Sequence, residues 1–202
     1  MLVTEPTHDL TDRVQATVDG GVNMVQLRGL RPCLSTSEAA RAIRSISRGS
    51  AILIVNLDVG LALQCGAEGV HLPVRALGVG LVRRRLKNGL VGRSVHSVEQ
   101  ARFAESDGAD YVIAGTIFKS SSHPDVEPQG LGFLEQVCTA IRIPVVAIGG
   151  VTPENATECI LAGAVGVAVM SPLMRAADPR EEAERYARAL GMLPRRRRGT
   201  EK

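Results

Sequence analysis

Val145-Val-Ala-Ile-Gly149-Gly150-Val-Thr-Pro-Glu154, with the later stretch Gly166-Val-Ala-Val-Met170-Ser171-Pro-Leu-Met174, decides the fold. Each is a short β-branched run that ends in small residues and then enters a helix start. Strands buried on both faces read as continuous apolar runs, so two such units in succession predict parallel strands joined by crossover helices. Gly149 and Gly150 let the backbone approach a ligand with no Cβ in the way. Amides freed at two neighbouring turns of this kind can converge on one anion. Ser171 stands at the matching place on the second unit, which makes Gly149, Gly150 and Ser171 a candidate phosphate seat.

Working outward, the same alternation fills the chain. Strands are expected at Leu2–Thr4, Met24–Leu27, Ile52–Val55, Gly69–Leu72, Val91–Ser94, Tyr111–Ala114, Val145–Ile148 and Gly166–Val169. Helical spacing lies between them, as at Ser37 to Ile46 and Glu99 to Glu105. Ser97-Val-Glu-Gln100 reads as a capping box, and Thr152-Pro-Glu154 as an N-cap followed by proline at the first helical position. A weak repeat supports the count: Gly20-Gly-Val, Gly66-Ala-Glu-Gly-Val, Gly108-Ala-Asp-Tyr-Val and Gly163-Ala-Val-Gly-Val each close a helix and open a strand. The expected fold is α/β, a single (β/α)8 TIM barrel over residues 1–192, with an open doubly wound sheet as the competitor. Residues 193–202 form a basic tail expected to be disordered.

Composition agrees. Hydrophobic residues make up 45% of the 202 residues and aromatics only 2%, so the core must be Ala, Val, Leu and Ile, the types that fill barrel interiors. Net charge is +3, and Arg195–Arg198 carries the excess, which leaves no case for a nucleic-acid surface. Cys33, Cys65, Cys138 and Cys159 are too scattered for a metal or disulfide framework and are expected as buried free thiols. No apolar run has membrane-spanning length and no signal peptide is legible, so a cytoplasmic protein is expected, with a homodimer a fair expectation for a small barrel.

In a barrel the chemistry gathers where strands end. Gln26 and Arg28 sit two apart and share one side of an extended segment. Asn56 follows the third strand, His71 lies in the fourth, and Ser94 and His96 close the fifth. His71 is expected as a satisfied core residue and His96 as a structural strand-end residue. Gly115-Thr116-Ile-Phe-Lys119-Ser120-Ser-Ser122-His123-Pro is a polar loop long enough to act as a lid.

These residues, in this order, resemble the thiamine-phosphate synthase superfamily. The likeness rests on Leu2-Val-Thr-Glu-Pro, Val25-Gln-Leu-Arg28, Asn56, Gly69-Val-His-Leu72, Gly92-Arg-Ser-Val-His-Ser97, Gly108-Ala-Asp-Tyr-Val, Gly115-Thr-Ile-Phe, Ile148-Gly-Gly and Val169-Met-Ser, nearly the whole chain. The resemblance implies that Gln26 and Arg28, with Asn56, hold a pyrimidine diphosphate and that Ser94 faces the pyrimidine. Ser120 and Ser122 would meet diphosphate, while Gly150, Met170 and Ser171 would seat a thiazole phosphate.

The departures lie at the diphosphate end. Leu30 stands where the synthase pattern has Lys, Leu57 where it has a metal-ligand Asp, and Pro73-Val-Arg75-Ala76 where a second Asp is expected; the lid's Lys is His123. Asp58, one residue along, is a conceivable substitute ligand. A phosphate seat without carboxylates resembles the metal-free TenI branch. That leads to a first expectation of a thiazole tautomerase needing no cofactor, an isomerase with His123 as base, because Thr116 occupies the place of that branch's catalytic His. The alternatives are a magnesium-dependent thiamine-phosphate synthase and a barrel that binds the phosphate without turnover.

Overall fold

In the computed structural model, which describes residues 1–29, 34–120 and 124–192, strands and helices alternate throughout. The order is β1 (Leu2–Val3), α1 (Leu10–Asp19), β2 (Met24–Leu27), α2 (Leu34–Ser47), β3 (Ile52–Asn56), α3 (Val59–Cys65), β4 (Gly69–Leu72) and α4 (Val79–Arg83). It continues with β5 (Leu90–Val95), α5 (Val98–Ser106), β6 (Tyr111–Ala114), α6 (Gly130–Ala140), β7 (Val145–Ile148), α7 (Ala156–Leu161), β8 (Gly166–Ala168), α8 (Ser171–Met174) and α9 (Pro179–Ala189). The strands pair in sequence order, all parallel. Closure is by a parallel bridge from Leu2 to Val169, with the Val3 amide donating to the Val169 carbonyl at 2.9 Å. The barrel is the expected one, and the open-sheet alternative falls on that closure.

Two cores result from the alternation of side chains along each strand. One lies between barrel and helices and includes Leu2, Val25, Leu53, Val70, Val91, Val112 and Leu134. The other fills the lumen from one side only: Val3, Tyr111, Ile113, Val146 and Ala168. Truncating a leucine in the outer layer to alanine costs about 2–5 kcal/mol, so the outer layer dominates stability. Residues paired across parallel strands share a face, and the pairing Asn56–His71–Gly92–Tyr111 therefore runs round the inside of the barrel. The lumen is apolar beside β6, β7, β8 and β1, and polar beside β2 to β5.

Local signals mostly behave as expected, with two corrections. Ser97 Oγ accepts the Gln100 amide, but Gln100 returns to the His96 amide at 2.8 Å, one residue before the cap, so the box is shifted outward. Helix α7 begins at Ala156 with Asn155 as N-cap rather than at Thr152. Asn155 Oδ1 accepts the Thr152 amide at 2.8 Å and Nδ2 donates to the Gly150 carbonyl at 3.1 Å, which turns residues 152–155 into a brace for the glycine turn. Cys65 and Cys159 are buried thiols, Cys138 is half-buried, and Cys33 lies outside the described residues, as does the tail from residue 193. No helix among the described residues is long and apolar enough to cross a membrane.

Candidate active site

The strand C-termini open into one cavity of about 930 Å³, within the range of small-molecule sites. Of the residues singled out from sequence, Gln26, Arg28, Asn56, Ser94, Thr116, Ser120, Gly149, Gly150, Met170 and Ser171 all line it. Ser122 and His123 lie outside the described residues, so the expected base has no place in the geometry that follows.

The glycine turn expected to seat a phosphate is built by close packing. Gly149 and Gly150 have φ of +100° and +64°, the left-handed region that glycine enters at least cost. A Cβ on Gly150 would overlap the Lys119 carbonyl oxygen, and one on Gly149 would overlap Thr116 Cγ2. The loop after β6 is thus pressed onto the loop after β7 and held by Phe118 N donating to Gly149 O at 2.9 Å. The amides of Gly150 and Val151 have no backbone acceptor among the described residues, so both are available to an anion. Thr116, expected as a catalytic residue, lines the cavity with its methyl against Gly149, and its carbonyl accepts the Gln129 amide at 2.9 Å.

The polar wall carries neutral hydrogen-bonding groups. Gln26 Nε2 donates to Asn56 Oδ1 at 3.0 Å, and Gln26 Oε1 has no partner among the described residues. His71 Nε2 shares a hydrogen bond with Ser94 Oγ at 2.8 Å. His71 is 2% exposed, as expected of a core residue, but it is only half satisfied, since Nδ1 has no partner among the described residues. Burial, aided by Arg93 and Arg28, pushes its pKa down to about 3, so it is uncharged at neutral pH. Tyr111 lies over the bare backbone of Gly92 and its ring centre is 5.8 Å from that of His71. His96 Nδ1 donates to the Gly115 carbonyl, and the residue also lines the cavity.

Two cations edge this wall. Arg28 is fixed through its backbone, whose amide donates to Thr4 Oγ1 at 2.8 Å, and its guanidinium touches Met170 Sδ at 3.4 Å. Lys119 also lines the cavity; nothing in the sequence marks it, because a lysine in a serine-rich loop carries no signal of where it points. Glu127 and Gln129 go unmarked in the same way.

Divalent-cation ligands do not fit this donor set. Leu57 offers an aliphatic side chain, is 54% exposed and has φ of +67°. Asp58, the conceivable substitute, caps α3 by accepting the Leu61 amide at 2.9 Å. No group of three or more His, Cys, Asp or Glu that could hold a metal ion occurs among the described residues. Magnesium wants hard oxygen ligands, commonly one or two carboxylates, and Glu127 is the one carboxylate among the described lining residues.

Comparison with known proteins corrects the reaction expected from sequence. Residues 1–173 match the family model described as thiamine monophosphate synthase. A thiamine-phosphate synthase of Caldivirga maquilingensis is 34% identical over 194 residues, covering 93% of this chain and 94% of the relative. One from Natronomonas pharaonis is 39% identical over 189 residues, covering 90% and 88%. The solved structure of a thiamine phosphate pyrophosphorylase from Pyrococcus furiosus superposes with a TM-score of 0.86 at 30% identity, covering 94% of each chain. These relatives overturn the isomerase expectation and with it the assignment to the tautomerase branch. That expectation rested on missing carboxylates, which speak to how charge is neutralised and not to which bond is made, while Thr116 supplies no base in the place the isomerase needs one. The chain belongs to the thiamine monophosphate synthase family.

Proposed function

We propose that this protein is a thiamine-phosphate synthase, a transferase that joins a pyrimidine diphosphate to a thiazole phosphate. The bond from the pyrimidine methylene to the diphosphate oxygen breaks, a bond to the thiazole nitrogen forms, and pyrophosphate leaves. The observation that carries this reading is that one cavity is lined both by the Gly149-Gly150 turn with Ser171, which suit a phosphate, and by a wall of neutral hydrogen-bonding groups, Gln26–Asn56 and His71–Ser94. Such a wall suits a heteroaromatic ring, which offers donors and acceptors but no net charge. The lumen's apolar half, with Ile113, Val146 and Ala168, gives the ring faces a surface to pack on.

The residues' parts follow from this placement. Gly150 and Val151 amides bind phosphate, Ser94 orients the ring, and Arg28 and Lys119 stabilise the charge that grows on the departing pyrophosphate. Holding both substrates in one cavity makes the encounter effectively unimolecular. The test is to incubate the protein with both substrates and follow thiamine phosphate by chromatography and mass. Product in step with released pyrophosphate is expected; absence of product across magnesium-containing and chelated buffers would sink the reading.

A further inference from the structure

Among the described residues, neither cation at the cavity mouth has a carboxylate partner. The ion pairs of the described residues join Arg13 to Asp9, Arg44 to Glu68, Arg83 to Asp110, Arg175 to Glu5, Arg180 to Glu184, Arg185 to Glu154 and Glu182, and Arg188 to Glu184. Arg28 and Lys119 are absent from that set, although elsewhere the surface pairs its arginines freely. Glu5, the acid whose charge feels Arg28, is bonded to Arg175 by two hydrogen bonds of 2.9 and 3.2 Å. Among the described residues two positive charges therefore stand beside the Gly150 turn with no ion-pair partner, Arg28 against Met170 and Lys119 on the segment packed over Gly150, while Glu127 is the one carboxylate lining the same cavity.

The same mouth is poor in the groups a divalent cation would need. Leu57 is aliphatic, the Asp58 carboxylate is committed to the start of α3, and Pro73-Val-Arg75-Ala76 has no carboxylate. We propose that this barrel binds its diphosphate-bearing substrate without a divalent cation, with Arg28 and Lys119 supplying the neutralising charge. Arginine offers a planar fork that matches two phosphate oxygens, and lysine adds a compact charge on a flexible stem. In a partly dehydrated cavity two such charges attract a polyanion strongly, and they would repel a magnesium ion arriving alone.

The inference rests on the proposed function for the identity of the substrate, and the two are tested separately. Calorimetric titration of the full chain with inorganic pyrophosphate, first with magnesium and then with EDTA, decides the inference. Affinity equal in the two buffers is expected; tightening by about tenfold or more in magnesium, or loss of binding in EDTA, overturns it. In EDTA, Lys119→Ala and Arg28→Ala should each weaken binding by about tenfold, as loss of a charge-assisted hydrogen bond does. Binding indifferent to both substitutions overturns the assignment of these residues. Turnover plays no part in the titration, so a chain that binds pyrophosphate under chelation yet makes no thiamine phosphate would keep this inference and lose the proposed reaction.

Discussion

His71 Nε2 and Ser94 Oγ meet at 2.8 Å across the adjacent strands β4 and β5, so the serine that faces the cavity takes its orientation from a histidine buried behind it. Burial holds the folded-state pKa of His71 at about 3, far below the roughly 6.5 of an exposed histidine. Between those values the unfolded chain binds a proton that the folded chain refuses. Stability therefore rises with pH through this window, and acidification below about pH 6.5 removes it at up to about 1.4 kcal/mol per unit until about pH 3. Urea unfolding at several pH values between 7 and 5 should show this slope, and His71→Gln should flatten it. Equal slopes in the two proteins would assign the effect elsewhere.

Ser94→Ala leaves His71 with neither ring nitrogen paired among the described residues. A loss of about 1–2 kcal/mol in stability is expected from the exposed deficit of a buried polar group. If Ser94 orients the ring of one substrate, KM for that substrate should rise while KM for the other stays put. A uniform fall in kcat alone would argue that Ser94 does not touch either ring.

Gly150→Ala asks for a Cβ in the space of a backbone carbonyl, that of Lys119, at a φ of +64°. The two loops must separate, which costs about 1–3 kcal/mol in strain and misplaces the amides of the phosphate seat. Affinity for inorganic phosphate should fall by about tenfold or more, since one well-made charge-assisted bond is worth that much. Retained affinity would place the phosphate elsewhere in the cavity.

Gly92 and Tyr111 form a matched pair: a Cβ on Gly92 would overlap the tyrosine Cζ. Gly92→Ala should cost about 1–3 kcal/mol by overpacking, read from the denaturation midpoint. Tyr111→Phe should be close to neutral, because the buried hydroxyl has no partner among the described residues. A large loss in the phenylalanine variant would reveal a hydrogen bond made through water.

Leu57 is the one non-glycine residue with positive φ among the described residues, and over half of it is exposed. Asparagine tolerates that conformation better, so Leu57→Asn should raise stability by about 0.5–1 kcal/mol, measurable as a higher melting temperature. No gain would indicate that the leucine packs against the substrate loops in solution.

Strand number, strand order and the glycine turn after β7 are legible in the amino-acid sequence alone. Parallel buried strands announce themselves as apolar runs, and Gly149-Gly150 and Ser171 sit within a few residues of the strands they follow. The sequence misleads at Thr152, where a good cap signal loses to Asn155, because the Asn155 side chain can bond both flanks of the turn at once. It also misleads on the reaction, since missing ligands at Leu57 and in the stretch Pro73–Ala76 say nothing about which bond is formed, and likeness to whole relatives is what corrects it.

What the sequence by itself determined is what local chemistry controls: apolar periodicity, the glycine turns, the Ser97 side chain that begins a helix, and the barrel they imply. Only the tertiary structure decided that His71 would meet Ser94, that Gly92 would make room for Tyr111, and that Lys119 would be pressed over Gly150. These partners are separated along the chain and meet only through strand register and loop packing. It also decided that Arg28 and Lys119 would stay without a carboxylate among the described residues, because charge balance depends on distances through space, and those exist only once the barrel has closed.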